Sequence, residues 1–484
     1  MIPAEVRDKL FNYENNSGHF SFEYLIAFKS LFLPYINRTY LQLTISYRQI
    51  LSIAVPIIIG NLFHSVISFT DTIFMGKVGI AELAACGYAS MYYMVLAMIG
   101  YSFALGAQII IARRAGENDR RSISKVMENL FYLLGGFSIF LFLFIRFGTK
   151  YVLATLLPDP AVFEAAVAYL NFRSYGIVFI FQVFIFGALF TGLGRTMIII
   201  WSTMAMAVVN IFLNYGLVFG NFGFPAMGIE GAGIASMISE ILSFAIILIY
   251  IFIKKYPEKY LLFLFQKPEK AVLRRIFNLA GPIVLQSVVG AMSWFILFTL
   301  IVNYIGEQEL AFSNVVKIIY TFFALPTWGL AGATNTLVSN IIGQGKSELV
   351  GKLVKKIILL SFGICVVLMT FLFLFPESIL SLFTDDPELV EGYKITLKVV
   401  MLALLLLSIG NILFRAVTGT GAARQALKIE FISVAVYVGF AYLVIVILDM
   451  GLAAAWSVEV VYWIVLALMA FLYLRKGMWT ELKI

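Results

Sequence analysis

Residues 50–79 read ILSIAVPIIIGNLFHSVISFTDTIFMGKVG, and this stretch decides the fold class. At a helical rise of about 1.5 Å per residue it is long enough to cross the roughly 30 Å hydrocarbon core of a bilayer. Yet it carries Asn61, His64, Ser68 and Asp71 at intervals of three, four and three, which puts them on one helix face. The other faces are left to lipid and packing. An ionisable stripe inside a membrane helix reads as a functional site by default, because charge in hydrocarbon is costly. The plainer reading makes Asp71 a helix-end marker whose carboxylate reaches headgroups and water. Against it, the apolar run continues through Ile73, Phe74 and Met75 before Lys77.

The rest of the chain has the same character. It is 61% hydrophobic and 13% charged, with mean hydropathy +0.95, whereas soluble domains are about half apolar and a quarter charged. This is an integral membrane protein. Its apolar runs do not alternate with period two, so they are helices and not strands of an outer-membrane barrel. The net charge of +8 is confined to particular loops, as membrane topology requires, and needs no nucleic-acid partner. Cys86 and Cys365 lie far apart in apolar runs with no metal-ligand spacing around them.

Twelve spans follow one another, from 50–76 to 452–474. Bases cluster after every second span: Arg113, Arg114, Arg120, Arg121 and Lys125; then Lys254 to Arg275; then Lys346 to Lys356; then Arg424 and Lys428; and finally Arg475, Lys476 and Lys483. By the positive-inside rule these connections and both termini are cytoplasmic. Residues 1–48, which do not read as a secretory signal, are expected to form a cytoplasmic or interfacial extension. An N-lobe of six helices is expected over 49–253, a cytoplasmic linker over 254–273, a C-lobe over 274–476 and a tail over 477–484.

The midpoint linker points to an internal repeat. Pro56 matches Pro282 at an offset of 226; Gly79 matches Gly306 and Gly116 matches Gly343 at 227. Asp159-Pro160 pairs with Asp386-Pro387, and Thr191-Gly192 and Gly194 with Thr418-Gly419 and Gly421, again at 227. A constant offset over separated landmarks identifies a duplicated six-helix unit. Because six is even, both copies enter the membrane in the same direction, and a substrate cavity belongs between them, near the midplane.

What the copies do not share is equally informative. Span five carries Asn210 and Asn214 four residues apart, on one face. At an offset of 227, Asp71, Asn210 and Asn214 fall on Phe298, Tyr437 and Ala441. One carboxylate with two carboxamides suits Na⁺, a hard ion that takes oxygen ligands, or a proton on Asp71 with amide partners. Alternatively, the asparagines only tie helices together by hydrogen bonds. Glu240 and Glu459 occupy comparable places in the last span of each lobe and read as scaffold, with Arg173, Arg415 or a cytoplasmic base as partners. His64 reads as a packing residue, with a proton-relay role open.

The entry AVPIIIGNLFHSVISFTDTIFMGKVGIAELAA, the turn FTGLGRT, the pair NIFLNYGLVFG and their second-half echoes resemble the multidrug and toxic compound extrusion (MATE) family, in its NorM-like branch. The resemblance covers residues 48–474. It implies an all-α membrane fold of twelve helices in two six-helix bundles forming a V, and export of cationic or amphipathic compounds in exchange for Na⁺ or H⁺. Asp71 falls on that family's first-helix coupling aspartate, Asn210 and Asn214 on its span-five asparagines, and Ser236 where a hydroxyl joins the site. Where many members carry a span-seven glutamate this chain has Gly290, with Gln286 nearby. Span ten has no acid, only Ser408, Asn411 and Arg415 as polar residues. Coupling is therefore expected to concentrate on Asp71, with Na⁺ bound, if at all, by Asp71, Asn210 and Asn214.

The cavity is expected to draw polar contacts from Asn61, His64, Gln182, Gln286, Trp294 and Asn411, and to take small organic cations or amphipathic drugs. No cofactor is expected beyond the coupling ion, and no partner beyond lipid. The working unit is expected to be a monomer in the plasma (inner) membrane. A lipid-linked oligosaccharide flippase of the same superfamily is the rival reading. It needs several intramembrane bases, and only Arg173 and Arg415 offer themselves. An enzyme is disfavoured, because His19 and His64 are the only histidines and no Ser/Lys site or Walker A sequence occurs.

Overall fold

The computed structural model describes residues 41–381 and 387–482. Most of the extension, His19, Asp386 and the acidic residues 382–386 lie outside the described residues. From Gln42 onward the chain forms one compact unit. Among the described residues, twelve helices are long and apolar enough to cross a membrane. In the N-lobe they are α1 (Tyr47–Val78), α2 (Ile80–Gly116), α3 (Arg120–Leu156), α4 (Pro160–Gly192), α5 (Met197–Phe219) and α6 (Gly228–Ile253). In the C-lobe they are α7 (Lys270–Ile305), α8 (Glu307–Gly343), α9 (Ser347–Leu374), α10 (Tyr393–Gly419), α11 (Ala423–Ile447) and α12 (Leu452–Lys476).

Local chemistry sets the ends. Ser46 caps α1 by accepting from the Gln49 N–H at 3.2 Å, and Asp159 caps α4 by accepting from Ala161 N–H at 2.8 Å with Pro160 in the first turn. Gly194 and Gly421, matched by the repeat, both turn the chain with positive φ, 66° and 94°. Only glycine adopts that conformation without a steric penalty.

The repeat persists in the packing. Gly116 and Gly343 are the two halves of one crossing: a Cβ on Gly116 would lie 2.1 Å from the Asn340 carbonyl oxygen, and a Cβ on Gly343 would lie 2.1 Å from the Arg113 carbonyl oxygen. Arg113 and Asn340 are themselves 227 apart. A side chain at either glycine pushes the backbones of α2 and α8 apart. We expect Gly343→Ala to destabilise the purified protein by about 1–3 kcal/mol through overpacking. Gly351→Ala, where an added Cβ meets nothing within 4 Å, should be near neutral; thermal unfolding in detergent compares the two.

The hydrogen bonds joining the lobes run through the half that carries the basic loops. Gln108 Nε2 donates to Thr336 Oγ1 at 2.9 Å, Ser339 Oγ to the Ile109 carbonyl at 2.7 Å and Asn340 Nδ2 to the Ala112 carbonyl at 3.1 Å. Arg113, read from the sequence as a loop base, is 5% exposed inside this seam. Its Nη2 donates to the Thr420 carbonyl at 2.9 Å. Residues 42–46, assigned above to the extension, are part of the same seam: Leu43 N–H donates to Asn340 Oδ1 at 2.9 Å, and Gln344 Nε2 to the Leu43 carbonyl at 2.8 Å. The two bundles thus meet at one end, the apex of the V.

Candidate functional site

α1, α5 and α6 pack together in the N-lobe, and their polar residues meet there. Asn214 Nδ2 donates to Asp71 Oδ1 at 2.8 Å and to Asn210 Oδ1 at 3.1 Å. Asn210 Nδ2 donates to Ser236 Oγ at 3.2 Å. The four residues singled out for coupling thus form one hydrogen-bonded chain across three helices. Asp71 is 9% exposed and Asn214 fully buried, so Asp71 is not a helix-end residue reaching for water. Asn214 Oδ1 is buried with no partner. That unpaired oxygen beside a carboxylate is an acceptor-only pair, able to take a hard cation or a proton. Among the described residues no group of three His, Cys, Asp or Glu could hold a metal ion, so any ion here relies on amide and hydroxyl oxygens.

Behind this chain lies a second polar group. Arg173 Nη1 pairs with Glu240 Oε1 at 2.7 Å, Tyr93 donates to Glu240 Oε2 at 3.1 Å, and the guanidinium lies 3.9 Å from the centre of the Tyr93 ring. The partner expected for Glu240 is therefore Arg173. Removing one member of a buried pair strands the other's charge, so Glu240→Gln should cost about 3–5 kcal/mol of stability. The Arg173→Met, Glu240→Leu double variant should be much closer to wild type, a difference that denaturation of the two purified proteins reads directly.

Glu459 does not have the corresponding surroundings. Its Oε2 accepts from Tyr320 at 3.1 Å and its Oε1 from Tyr437 at 3.2 Å; no base is in ion-pair contact with it among the described residues. The expectation that Glu240 and Glu459 are counterparts is overturned by these contacts. Phe222 and Asp449, 227 apart, share a positive φ, 59° and 48°, and the second copy then lacks the four residues 223–226. Beyond this deletion Met227-Gly228 matches Met450-Gly451 at an offset of 223. By that offset Glu459 answers Ser236, and Trp463 answers Glu240.

The residues expected to line a substrate cavity stand in different surroundings. His64 is exposed and Asn61 half-buried on α1. Gln182 and Asn411 are buried, 8% and 6% exposed. Gln286 donates to the Ala423 carbonyl at 3.2 Å, which fixes it between α7 and α11. Trp294 packs against Tyr320 and Trp456 inside the C-lobe, with ring centres 5.6 Å and 5.7 Å away. A polar residue in a membrane helix tethers neighbours as readily as it faces a cleft, and sequence does not separate the two.

The count of intramembrane bases is also corrected. Lys317 lies within α8, its ammonium 5.4 Å from the Phe298 ring centre and 5.9 Å from that of Trp294. Glu430, in α11, is a further buried acid, 4% exposed, accepting from Tyr462 at 2.9 Å. Scanning each apolar run for every charge, and not only those on the polar stripes, would have found both.

Comparison with known proteins agrees with this architecture. The MatE family profile matches twice, over residues 56–216 and 282–443, one match in each lobe. The chain belongs to the MATE family. The two matched segments start 226 apart and end 227 apart, the offset of the internal repeat. This MATE protein is 25% identical over 447 residues to the "Probable multidrug resistance protein NorM" of Thermotoga maritima, covering 90% of this chain and 93% of that one. It is 26% identical to the "Multidrug resistance protein NorM" of Photobacterium profundum, covering 71% and 75%. Its fold matches, with TM-score 0.83 and 20% identity over 90% of this chain and 97% of the other, a structure described as the outward-facing conformation of a multidrug resistance MATE family transporter. A MOP superfamily transporter from Pyrococcus furiosus matches at TM-score 0.82, 20% identity and the same coverage. Members of this family are transporters and not enzymes.

Proposed function

We propose that this MATE protein is a secondary antiporter that exports cationic or amphipathic drugs in exchange for Na⁺ or H⁺. The observation that carries the reading is the chain Asp71, Asn214, Asn210, Ser236, with the Asn214 oxygen left unpaired beside the carboxylate. The multidrug-resistance names of the NorM relatives support drugs as the cargo.

The seam of α2 and α8 lies on the side of the basic loops, which we place in the cytoplasm together with both termini, in the plasma membrane. The structure is then closed inward and ready to receive a cation from outside. Binding at Asp71 rearranges α1, α5 and α6, because an ion that draws on Asp71 Oδ1 and Ser236 Oγ competes with the bonds those oxygens now accept. The drive is the difference in cation affinity between the two states, and each charge moved down about 100 mV supplies about 2.3 kcal/mol. Ethidium uptake into inverted membrane vesicles, under a Na⁺ or a pH gradient imposed separately, tests the reading: one gradient should drive accumulation. Uptake under neither would end it and bring forward the flippase alternative.

A further inference from the structure

We propose that Glu459 is a second proton-binding site, housed in the C-lobe, so that each lobe carries its own titrating carboxylate. The repeat is the first support. The N-lobe contact Asn210 to Ser236 reappears, at offsets of 227 and 223, as Tyr437 to Glu459; Tyr93 to Glu240 reappears as Trp463 to Tyr320, with Trp463 Nε1 donating to the Tyr320 hydroxyl at 2.8 Å. The C-lobe therefore keeps the layout of the coupling region, with its carboxylate moved from the first helix of the lobe to the last.

The second support is charge balance. Glu459 is 2% exposed, and a carboxylate buried in a membrane protein without a cation beside it is neutralised by binding one. Tyr320 accepts from Trp463, so its single hydrogen is committed to Glu459 Oε2. Among the described residues nothing donates to the Tyr437 oxygen, so the bond that Tyr437 now donates to Glu459 Oε1 can reverse when that oxygen carries a proton, the acid donating and the phenol accepting. The bound cation is then a proton: the carboxylate takes it up to become the neutral acid, and among the described residues only two phenols are hydrogen-bonded to it, with no carboxamide or second carboxylate to complete the oxygen shell of a metal ion. Trp294, Tyr320 and Trp456 close one side of the pocket.

No other charge takes over this role. α10, packed along α12, sets Gly410 against Trp463, and its Arg415 guanidinium lies 5.9 Å from the Phe414 ring centre. α11 presents Tyr437 and Glu430, the latter held by Tyr462, whose ring stands 5.9 Å from that of Tyr437. α8 presents Tyr320, while its Lys317 is turned onto Trp294 and Phe298. α7 offers only the indole of Trp294.

The inference deepens the antiport reading and rests on it for transport alone. Infrared spectroscopy of the purified protein reads the site itself, as the C=O stretch of a buried carboxylic acid followed from acidic to alkaline pH. The expected result is a titrating band that survives Asp71→Asn, disappears in Glu459→Gln and returns, shifted, in Glu459→Asp. In vesicles, Glu459→Gln should lower export driven by a pH gradient by about 5- to 150-fold, the usual span of a coupling between sites, with ethidium binding kept. A band unchanged by Glu459→Gln, or one assigned to Glu459 that stays constant across that pH range, overturns the proposal. A wild type that titrates the band yet exports under neither gradient supports the proton site and removes the antiport reading.

Discussion

Cells expressing the Asp71→Asn variant should be as sensitive to ethidium as cells without the transporter, although the variant inserts and folds normally. Asparagine keeps the size of the side chain and one oxygen for the Asn214 amide, so the contact at 2.8 Å survives in shape. What it loses is the negative charge. A neutral amide gives Na⁺ no counter-charge and cannot take up a proton at working pH, so the gradient has nothing to act on. Drug-gradient work then falls by about 100-fold or more, the upper range of coupling between two sites. Membrane extraction, elution as a single species and unchanged ethidium binding separate this loss from misfolding.

Arg113→Gln should shift the protein away from the closed seam. The guanidinium is buried between the lobes, donates to the Thr420 carbonyl at 2.9 Å and reaches Ser339 Oγ at 3.4 Å. Hydrogen bonds from charged donors contribute about 1.5–3 kcal/mol each. Losing about 3 kcal/mol moves the ratio of closed to open states by about 150-fold. A reporter is available at Ser102, 1% exposed and joined to Ser287 across the seam at 3.4 Å. In a background with Cys86 and Cys365 replaced, Ser102→Cys should resist thiol reagents applied from the basic-loop side, and Arg113→Gln should make it react. Equal protection in both backgrounds would show that Arg113 does not hold the seam.

Much of the fold was legible because the signals were long. Twelve apolar runs, the alternation of basic loops and an offset of 227 are properties of hundreds of residues, and local packing does not alter them. The N-lobe cluster was legible for a related reason: Asn210 and Asn214 stand one helical turn apart, and the second copy has no equivalents. Glu459 was misplaced because rough distance from a Gly-rich entry pairs it with Glu240, 219 residues earlier, whereas the register beyond the four-residue deletion is 223, one helical turn away. Arg113 was misread because a base at a helix end looks the same whether it meets water or a neighbouring lobe. The surroundings of the residues proposed for the cavity were not legible for a third reason. Gln286 is tied to the Ala423 carbonyl between α7 and α11, and the direction of a polar side chain is set by which helices become neighbours.

The central claim, that Asp71 and its amide partners couple a cation to export, is tested most directly in proteoliposomes loaded with ethidium. Wild type and Asp71→Asn are compared under a Na⁺ gradient and a pH gradient applied one at a time. The account predicts that one gradient drives efflux by the wild type and that Asp71→Asn shows only leakage under the same gradient. Efflux by Asp71→Asn at the wild-type rate would contradict it, leaving the aspartate a packing residue and the coupling site elsewhere.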